Sequence, residues 1–280
     1  MTFEAYQENL ATIRERVSAI HAAQLSEQEQ KNAWETIMSC IDLTTLEGTD
    51  NEQRIADLCR QALTFKKTTN GITVAAVCVY SPFVAAAKSV LVATGIQVAT
   101  VACAFPSGQL PLNLKLEEVK FAVDAGADEI DMVISRGKLL SGDFDAITEE
   151  VEAVKKVCGV AHLKVILETG ELKTVENIRK ASELALIGGA DFLKTSTGKI
   201  KPAATAEAAV VMLDTIAEFY HKTGKQVGFK PAGGIAEVED AMLYYKITGA
   251  ICGKEWLNNH LFRIGASRLA GKVHETIRVA

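Results

Sequence analysis

This chain of 280 residues holds only five histidines, two tryptophans and five prolines, and aromatic residues make up 6% of it. Each scarcity excludes something. The histidines (His21, His162, His221, His260, His274) are isolated, and only His162 adjoins a strand-like run. A catalytic metal would need a cluster of histidine and carboxylate ligands, so no metal site is expected. The six cysteines (Cys40, Cys59, Cys78, Cys103, Cys158, Cys252) are scattered without a C-x-x-C pair. They read as buried free thiols of a reduced, cytoplasmic protein. No basic excess is present either: the net charge is −5. Nucleic-acid binders normally carry a basic stripe, so that class is excluded, although a local cationic pocket for a small anion is not. Apolar runs such as Ile72–Tyr80 are too short to span a bilayer. No basic segment leads into an apolar stretch at the N-terminus, so neither a signal peptide nor a membrane partner is expected. Neither G-x-G-x-x-G opening a helix nor a P-loop occurs, which implies no nucleotide cofactor. Internal repeats and proline-rich linkers are missing as well, which favours one domain over residues 1–280.

What is present is an alternation. Hydrophobic residues make up 48% of the chain. Short β-branched runs fall at Ile41–Leu43, Thr73–Val79, Val98–Cys103, Glu129–Ile134, Leu163–Leu167, Asp191–Thr195, Gln226–Lys230 and Leu261–Ile264. Between and after them lie helix-like stretches near 52–66, 82–94, 115–126, 144–157, 174–188, 203–223, 237–247 and from 266 onward. Strands alternating with helices imply βαβ units and a parallel sheet. Eight units predict an α/β fold closed into a (β/α)8 TIM barrel, an architecture of about 250 residues. The surplus lies in front, in a helical extension over residues 1–35. There Phe3, Tyr6, Leu10, Ile13, Val17 and Ile20 draw one apolar stripe at helical spacing. It predicts an additional N-terminal helix packed on the barrel exterior or plugging its bottom. A face for a second copy, making a homodimer, is the alternative.

Barrel strands are buried on both faces, so a charged residue within one is costly unless it has a task. Four such residues recur near strand C-terminal ends, where β/α-barrel active sites form. Asp131 lies in Glu-Ile-Asp-Met-Val-Ile, Lys164 in Leu-Lys-Val-Ile-Leu-Glu, Lys194 in Leu-Lys-Thr-Ser-Thr-Gly-Lys and Lys230 in Gly-Phe-Lys-Pro-Ala-Gly-Gly. A single strand lysine ordinarily snorkels to the rim. Two on consecutive strands, about 4.8 Å apart in a sheet, would instead crowd each other inside the barrel. At about 6 Å and an effective dielectric near 20, their repulsion is about 3 kcal/mol, or roughly two pKa units. One amine is then neutral near pH 7 and can attack a carbonyl, a known route to a Schiff-base nucleophile. Asp131 is the candidate proton carrier, with a counter-ion role compatible beside it. Lys164 reads as part of the same charge network.

Glycines supply the other half of the pattern. Gly198-Lys199, Gly233-Gly234 and Gly265-Ala266-Ser267 follow predicted strands 6, 7 and 8. A lone glycine pair after a strand is usually a turn. Three glycine loops on one barrel rim predict a phosphate site, where backbone N–H groups approach the anion and Lys199 and Ser267 add charge and a hydroxyl.

At Lys-Thr-Ser-Thr-Gly-Lys (194–199) and Gly-Phe-Lys-Pro-Ala-Gly-Gly (228–234) the chain closely resembles the deoxyribose-phosphate aldolase family. The resemblance runs in order through Ile-Asp-Leu-Thr-Thr-Leu (41–46), Ala-Ala-Val-Cys-Val-Tyr (75–80), Phe-Pro-Ser-Gly (105–108), Gly-Ala-Asp-Glu-Ile-Asp-Met-Val (126–133), Leu-Lys-Val-Ile-Leu-Glu-Thr-Gly-Glu-Leu (163–172) and Phe-Arg-Ile-Gly-Ala-Ser (262–267). It implies a metal-independent class I aldolase that reversibly cleaves 2-deoxy-D-ribose 5-phosphate to D-glyceraldehyde 3-phosphate and acetaldehyde in deoxyribonucleotide catabolism. By motif position Lys194 resembles the Schiff-base residue, Lys230 the lysine that lowers its pKa, and Asp131 the proton-transfer residue. Gly198, Lys199, Gly233, Gly234, Gly265 and Ser267 match phosphate-binding positions. Three departures stand out. Ala236 occupies a position where an arginine is frequent, Arg268 stands where a small hydroxyl residue is common, and Arg278-Val279-Ala280 carry no C-terminal tyrosine. Two other readings stay open on the residues alone: another Schiff-base sugar-phosphate aldolase or transaldolase, and a non-catalytic phosphosugar-binding protein.

Overall fold

Strand and helix alternate, and three of the helices begin at a side-chain cap that cuts off the preceding run. Asn51, Thr174 and Thr205 each accept a hydrogen bond from the backbone three residues on, and so open α3 (Glu52–Thr68), α9 (Val175–Ile187) and α10 (Ala206–Thr223). A computed structural model describes residues 1–279; Ala280, the last of the three C-terminal residues considered above, lies outside the described residues. Eight strands result: β1 (Ile41–Thr44), β2 (Ala76–Tyr80), β3 (Gln97–Ala102), β4 (Glu129–Val133), β5 (His162–Ile166), β6 (Phe192–Lys194), β7 (Gly228–Lys230) and β8 (Ile264–Ala266). All pair in parallel, in the order β7-β6-β5-β4-β3-β2-β1-β8. Single parallel bridges, Phe229 with Phe262 and Ala232 with Gly265, join β7 to β8 and close the ring. The architecture is a TIM barrel. The remaining helices are α4 (Val84–Val90), α5 (Leu112–Asp124), α6 (Arg136–Leu140), α7 (Phe144–Cys158), α8 (Thr169–Leu172), α11 (Val238–Cys252) and α12 (Leu269–Val279). Among the described residues no helix is long and apolar enough to cross a membrane.

In parallel strands side chains alternate between the helix layer and the barrel interior. Ile130, Met132, Leu163, Val165, Leu193 and Phe229 join the large aliphatic core under the helices. The interior half of β2 and β3 is small and apolar: Ala76, Cys78, Ala99 and Val101, with Leu46 above them. Cys78 therefore faces into the barrel, fully buried.

The N-terminal segment differs from the single helix expected. It forms α1 (Leu10–Ala22) and α2 (Glu27–Ser39), so the helical extension reaches residue 39 rather than 35 and breaks in the middle. Asn9 accepts from the backbone of Ala11 and Thr12, while the Thr12 hydroxyl accepts from the Asn9 N–H. This capping box starts the helix at Leu10. Phe3 and Tyr6 precede it on a non-helical arm. The Phe3 ring stacks on Phe219 at 6.4 Å, and the Tyr6 hydroxyl donates to Asp214 at 2.6 Å. Arg16 pairs with both oxygens of Asp214 at 2.7 Å. α1 lies across α10 and α11 on the barrel exterior, so the apolar stripe is occupied by the chain's own helices. β8 also sits three residues later than expected. Leu261 and Phe262 bond back to the Asn258 carbonyl in a turn, and the β1 ladder begins only at Ile264.

Candidate active site

The register places Lys194 directly beside Lys230, and Asp131 directly beside Lys164. Neighbours of one row in a parallel sheet share a face, so all four point into the barrel. Lys194 Nζ and Lys230 Nζ each lie 2.7 Å from the same oxygen, Oδ2 of Asp131. The two nitrogens are thus no farther apart than twice that distance. Lys164 donates to the other Asp131 oxygen at 3.0 Å. The cluster extends beyond these four. Lys230 also pairs with Asp42, and Lys164 with Glu129. Arg263, just ahead of β8, bonds to Asp42 at 2.6 Å and to Glu129 at 2.6 Å. All seven groups are almost entirely inaccessible to solvent. Room for the Lys230 stem comes from Gly265, where a Cβ would stand 3.3 Å from Cε of Lys230.

Charge counting shows which cation is least compensated. Four cationic side chains (Lys164, Lys194, Lys230, Arg263) face three carboxylates (Asp42, Glu129, Asp131). One neutral lysine would balance the cluster. Arg263, Lys164 and Lys230 each bind two carboxylates closely, whereas Lys194 binds only Asp131. The direction of each pKa follows. Burial pushes Lys194 down, Asp131 partly restores it and Lys230 lowers it again, leaving it below the usual lysine range. Burial also penalises the Lys230 ammonium, but Asp131 and Asp42 outweigh that and hold it charged. Burial would raise Asp131, yet Lys164, Lys194 and Lys230 together hold it well below the carboxylate range. The lysine least compensated is also the one that opens onto a cavity.

That cavity, of about 210 Å³, lies above Lys194. The loops after β6 and β7, β8 itself and the turn that follows it line it with Gly198, Lys199, Gly233, Gly234, Gly265, Ser267 and Arg268. Every phosphate-site residue expected from sequence is in that lining. Gly198, Gly233 and Gly234 have φ of +78°, +83° and +83°. A Cβ on Gly233 would come within 2.8 Å of Cα of Gly198, so the two loops touch backbone to backbone. Lys199 is engaged already: Nζ donates to the Leu46 carbonyl at 2.5 Å and lies 3.2 Å from Glu47. A larger groove of about 780 Å³ lies outside the barrel beside α1 and α10 and contains neither strand lysine.

Comparison with known proteins fits this arrangement. The family model described as DeoC/LacD family aldolase matches residues 36–259. The chain belongs to this aldolase family. The human deoxyribose-phosphate aldolase is 44% identical over 97% of this chain and 89% of its own length. That of Agrobacterium fabrum (strain C58 / ATCC 33970) is 45% identical over 86% and 90%. Among solved structures, the deoxyribose phosphate aldolase of Aeropyrum pernix superposes with a TM-score of 0.68 at 25% identity, covering 91% of this chain and 99% of that one. In this DeoC/LacD family member, sequence reasoning did not single out Asp42, Glu129 and Arg263 as parts of the charged cluster. Glu129 lies two residues before Asp131 on one strand, and that period-two spacing was the available signal. Glu168 is a further buried acid near the site, and no sequence spacing marks it. Fully buried, with φ of +58°, it accepts from the Thr197 N–H at 3.2 Å and from the Thr197 hydroxyl at 2.5 Å. It ties the loop after β5 to the turn that carries Gly198.

Proposed function

We propose that this chain cleaves 2-deoxy-D-ribose 5-phosphate reversibly into D-glyceraldehyde 3-phosphate and acetaldehyde, through a Schiff base on Lys194, as a step of deoxyribonucleotide breakdown. The observation that carries the proposal is the pair of inward lysines sharing one carboxylate oxygen of Asp131, in a cluster with one cation in excess. The neutral Lys194 amine adds to the C1 aldehyde and expels water, giving an iminium. Breaking the C2–C3 bond sends its electrons to the iminium and forms a neutral enamine. The C3 hydroxyl gives up its proton as glyceraldehyde phosphate departs. Protonating C2 of the enamine restores an iminium, and water then releases acetaldehyde and the free lysine.

Asp131 is the proposed proton carrier, directly or through one water. A carboxylate held by Lys164, Lys230 and the Lys194 iminium is a weak base. Enamine formation changes that, because it removes the positive charge on the Lys194 nitrogen just when the C3 hydroxyl must lose its proton. Lys230 stays charged throughout and keeps the Lys194 amine neutral at the start. The glycine loops and Ser267 would hold the phosphate at the far end of the cavity. All six cysteines are free, which suits a reducing compartment such as the cytoplasm.

Trapping tests this reading. Incubation with 2-deoxyribose 5-phosphate or acetaldehyde plus borohydride, followed by peptide mapping, should give one reduced adduct on Lys194. An adduct at another lysine, or none on folded protein, would defeat the assignment. Replacing acetaldehyde by dihydroxyacetone or its phosphate as donor should give little or no condensation.

A further inference from the structure

Four charged side chains line the cavity above Lys194: Glu47, Lys194 itself, Lys199 and Arg268. Their engagements differ. Lys194 is held by Asp131, and Lys199 by the Leu46 carbonyl and Glu47. Arg268 alone has no hydrogen bond or ion pair among the described residues, and it is exposed. It sits between Ser267 and the first residue of α12, in the same cavity lining as the Gly233-Gly234 turn. Ile235 and Ala236, which follow that turn in the lining, bring no charge.

From this asymmetry we propose that Arg268 is the specificity-determining cation of the cavity, the group that makes it select a phosphorylated sugar over the same sugar without phosphate. The assignment rests on the aldolase reading above and deepens it. A phosphate monoester brings between one and two negative charges and three acceptor oxygens. A guanidinium meets them with a planar fork of donors, whereas an ammonium is a point charge. Lys199 can turn to the phosphate only by releasing Glu47 and a backbone carbonyl, so part of its gain is offset. Arg268 gives up no protein partner. The hydroxyl of Ser267 and the backbone of the glycine loops complete the anion's shell and fix its distance from Lys194.

The test compares wild type, Arg268→Ala and Arg268→Lys in steady-state cleavage of 2-deoxyribose 5-phosphate and of 2-deoxyribose, and in calorimetric binding of inorganic phosphate. Arg268→Ala should lower kcat/KM for the phosphorylated sugar about tenfold to a hundredfold, the range expected for a charge-assisted bond. The loss should appear in KM rather than kcat. The ratio of the two sugars' kcat/KM values should fall by the same factor, and inorganic phosphate should bind correspondingly more weakly. Arg268→Lys should recover part of each effect. Unaltered phosphate binding in Arg268→Ala, or an equal loss on both sugars, would overturn the assignment. Phosphate binding that depends on Arg268 in a wild-type protein that cleaves neither sugar would support it, while removing the aldolase reading on which the sugar specificity rests.

Discussion

Lys194 and Lys230 are chemically identical and adjacent in register, yet their surroundings pull them apart. Burial is the largest influence on both and disfavours charge; two carboxylates reverse that effect on Lys230, and one fails to reverse it on Lys194. Two substitutions should therefore shift the pH–rate profile in opposite directions. Lys230→Leu removes a neighbouring cation, so the Lys194 pKa should rise and the profile move alkaline by about two units. Asp131→Asn removes the anion that favours the Lys194 ammonium, so the acid limb of the residual activity should move to lower pH. An unchanged profile in the lysine variant would refute the coupling. Asp131→Asn also leaves Lys164 and Lys230 each short of a carboxylate partner, and denaturant titration should show a loss of roughly 3–5 kcal/mol. Lys194, Lys230, Lys164 and Asp131 were legible in the sequence because a charge inside a β-branched run contradicts its surroundings. Asp42 stands in a comparable run but was not read as part of the site. Arg263 was illegible for another reason: its partners Asp42 and Glu129 lie 221 and 134 residues away, and no local pattern encodes such a pairing.

The starts of α3, α9 and α10 are readable to within a few residues, where Asn51, Thr174 and Thr205 cap them. At the N-terminus the expected helix does pack on the barrel exterior, but the stripe's spacing runs on through Phe3 and Tyr6, whereas the Asn9 cap starts the helix only at Leu10. Tyr6→Phe removes a hydrogen bond to a carboxylate that Arg16 still neutralises. A stability loss of about 1–2 kcal/mol, read as a lower denaturant midpoint, is expected. Within the barrel, β6 and β7 approach closely only because Gly228 lacks a side chain: a Cβ there would stand 2.2 Å from the Phe192 ring. That ring sits beneath the Lys164 and Arg263 cations, at 5.9 and 6.0 Å. Gly228→Ala should thus cost roughly 1–3 kcal/mol and disturb the charged cluster resting on the ring. Thermal unfolding together with a shifted pH–rate profile would show both effects, and a wild-type melting temperature would contradict the packing argument.

Across the whole molecule the cluster makes stability depend on acid. Burial raises Asp42, Glu129 and Asp131, but their cationic partners lower them further, so all three remain below the ordinary range. Free carboxylates titrate near pH 4, roughly. Below that value the unfolded chain binds protons that the folded barrel does not, so stability should fall as the pH drops. Urea midpoints between pH 5 and pH 3 should decline, and a flat series would contradict it. The alternation of strand and helix made the barrel itself legible, since eight repeats of one unit leave few other closures.

Arg263 has a bearing on how the protein comes into being. The carboxylates it neutralises, Asp42 and Glu129, leave the ribosome in the first half of synthesis, whereas the arginine emerges close to the end. Lys164 and Lys230 are made sooner and pair with the same acids, yet their neutralisation stays incomplete until Arg263 bonds both. Closing the ring also needs β8, so a stalled translation product ending before residue 263 should remain open and vulnerable to proteases.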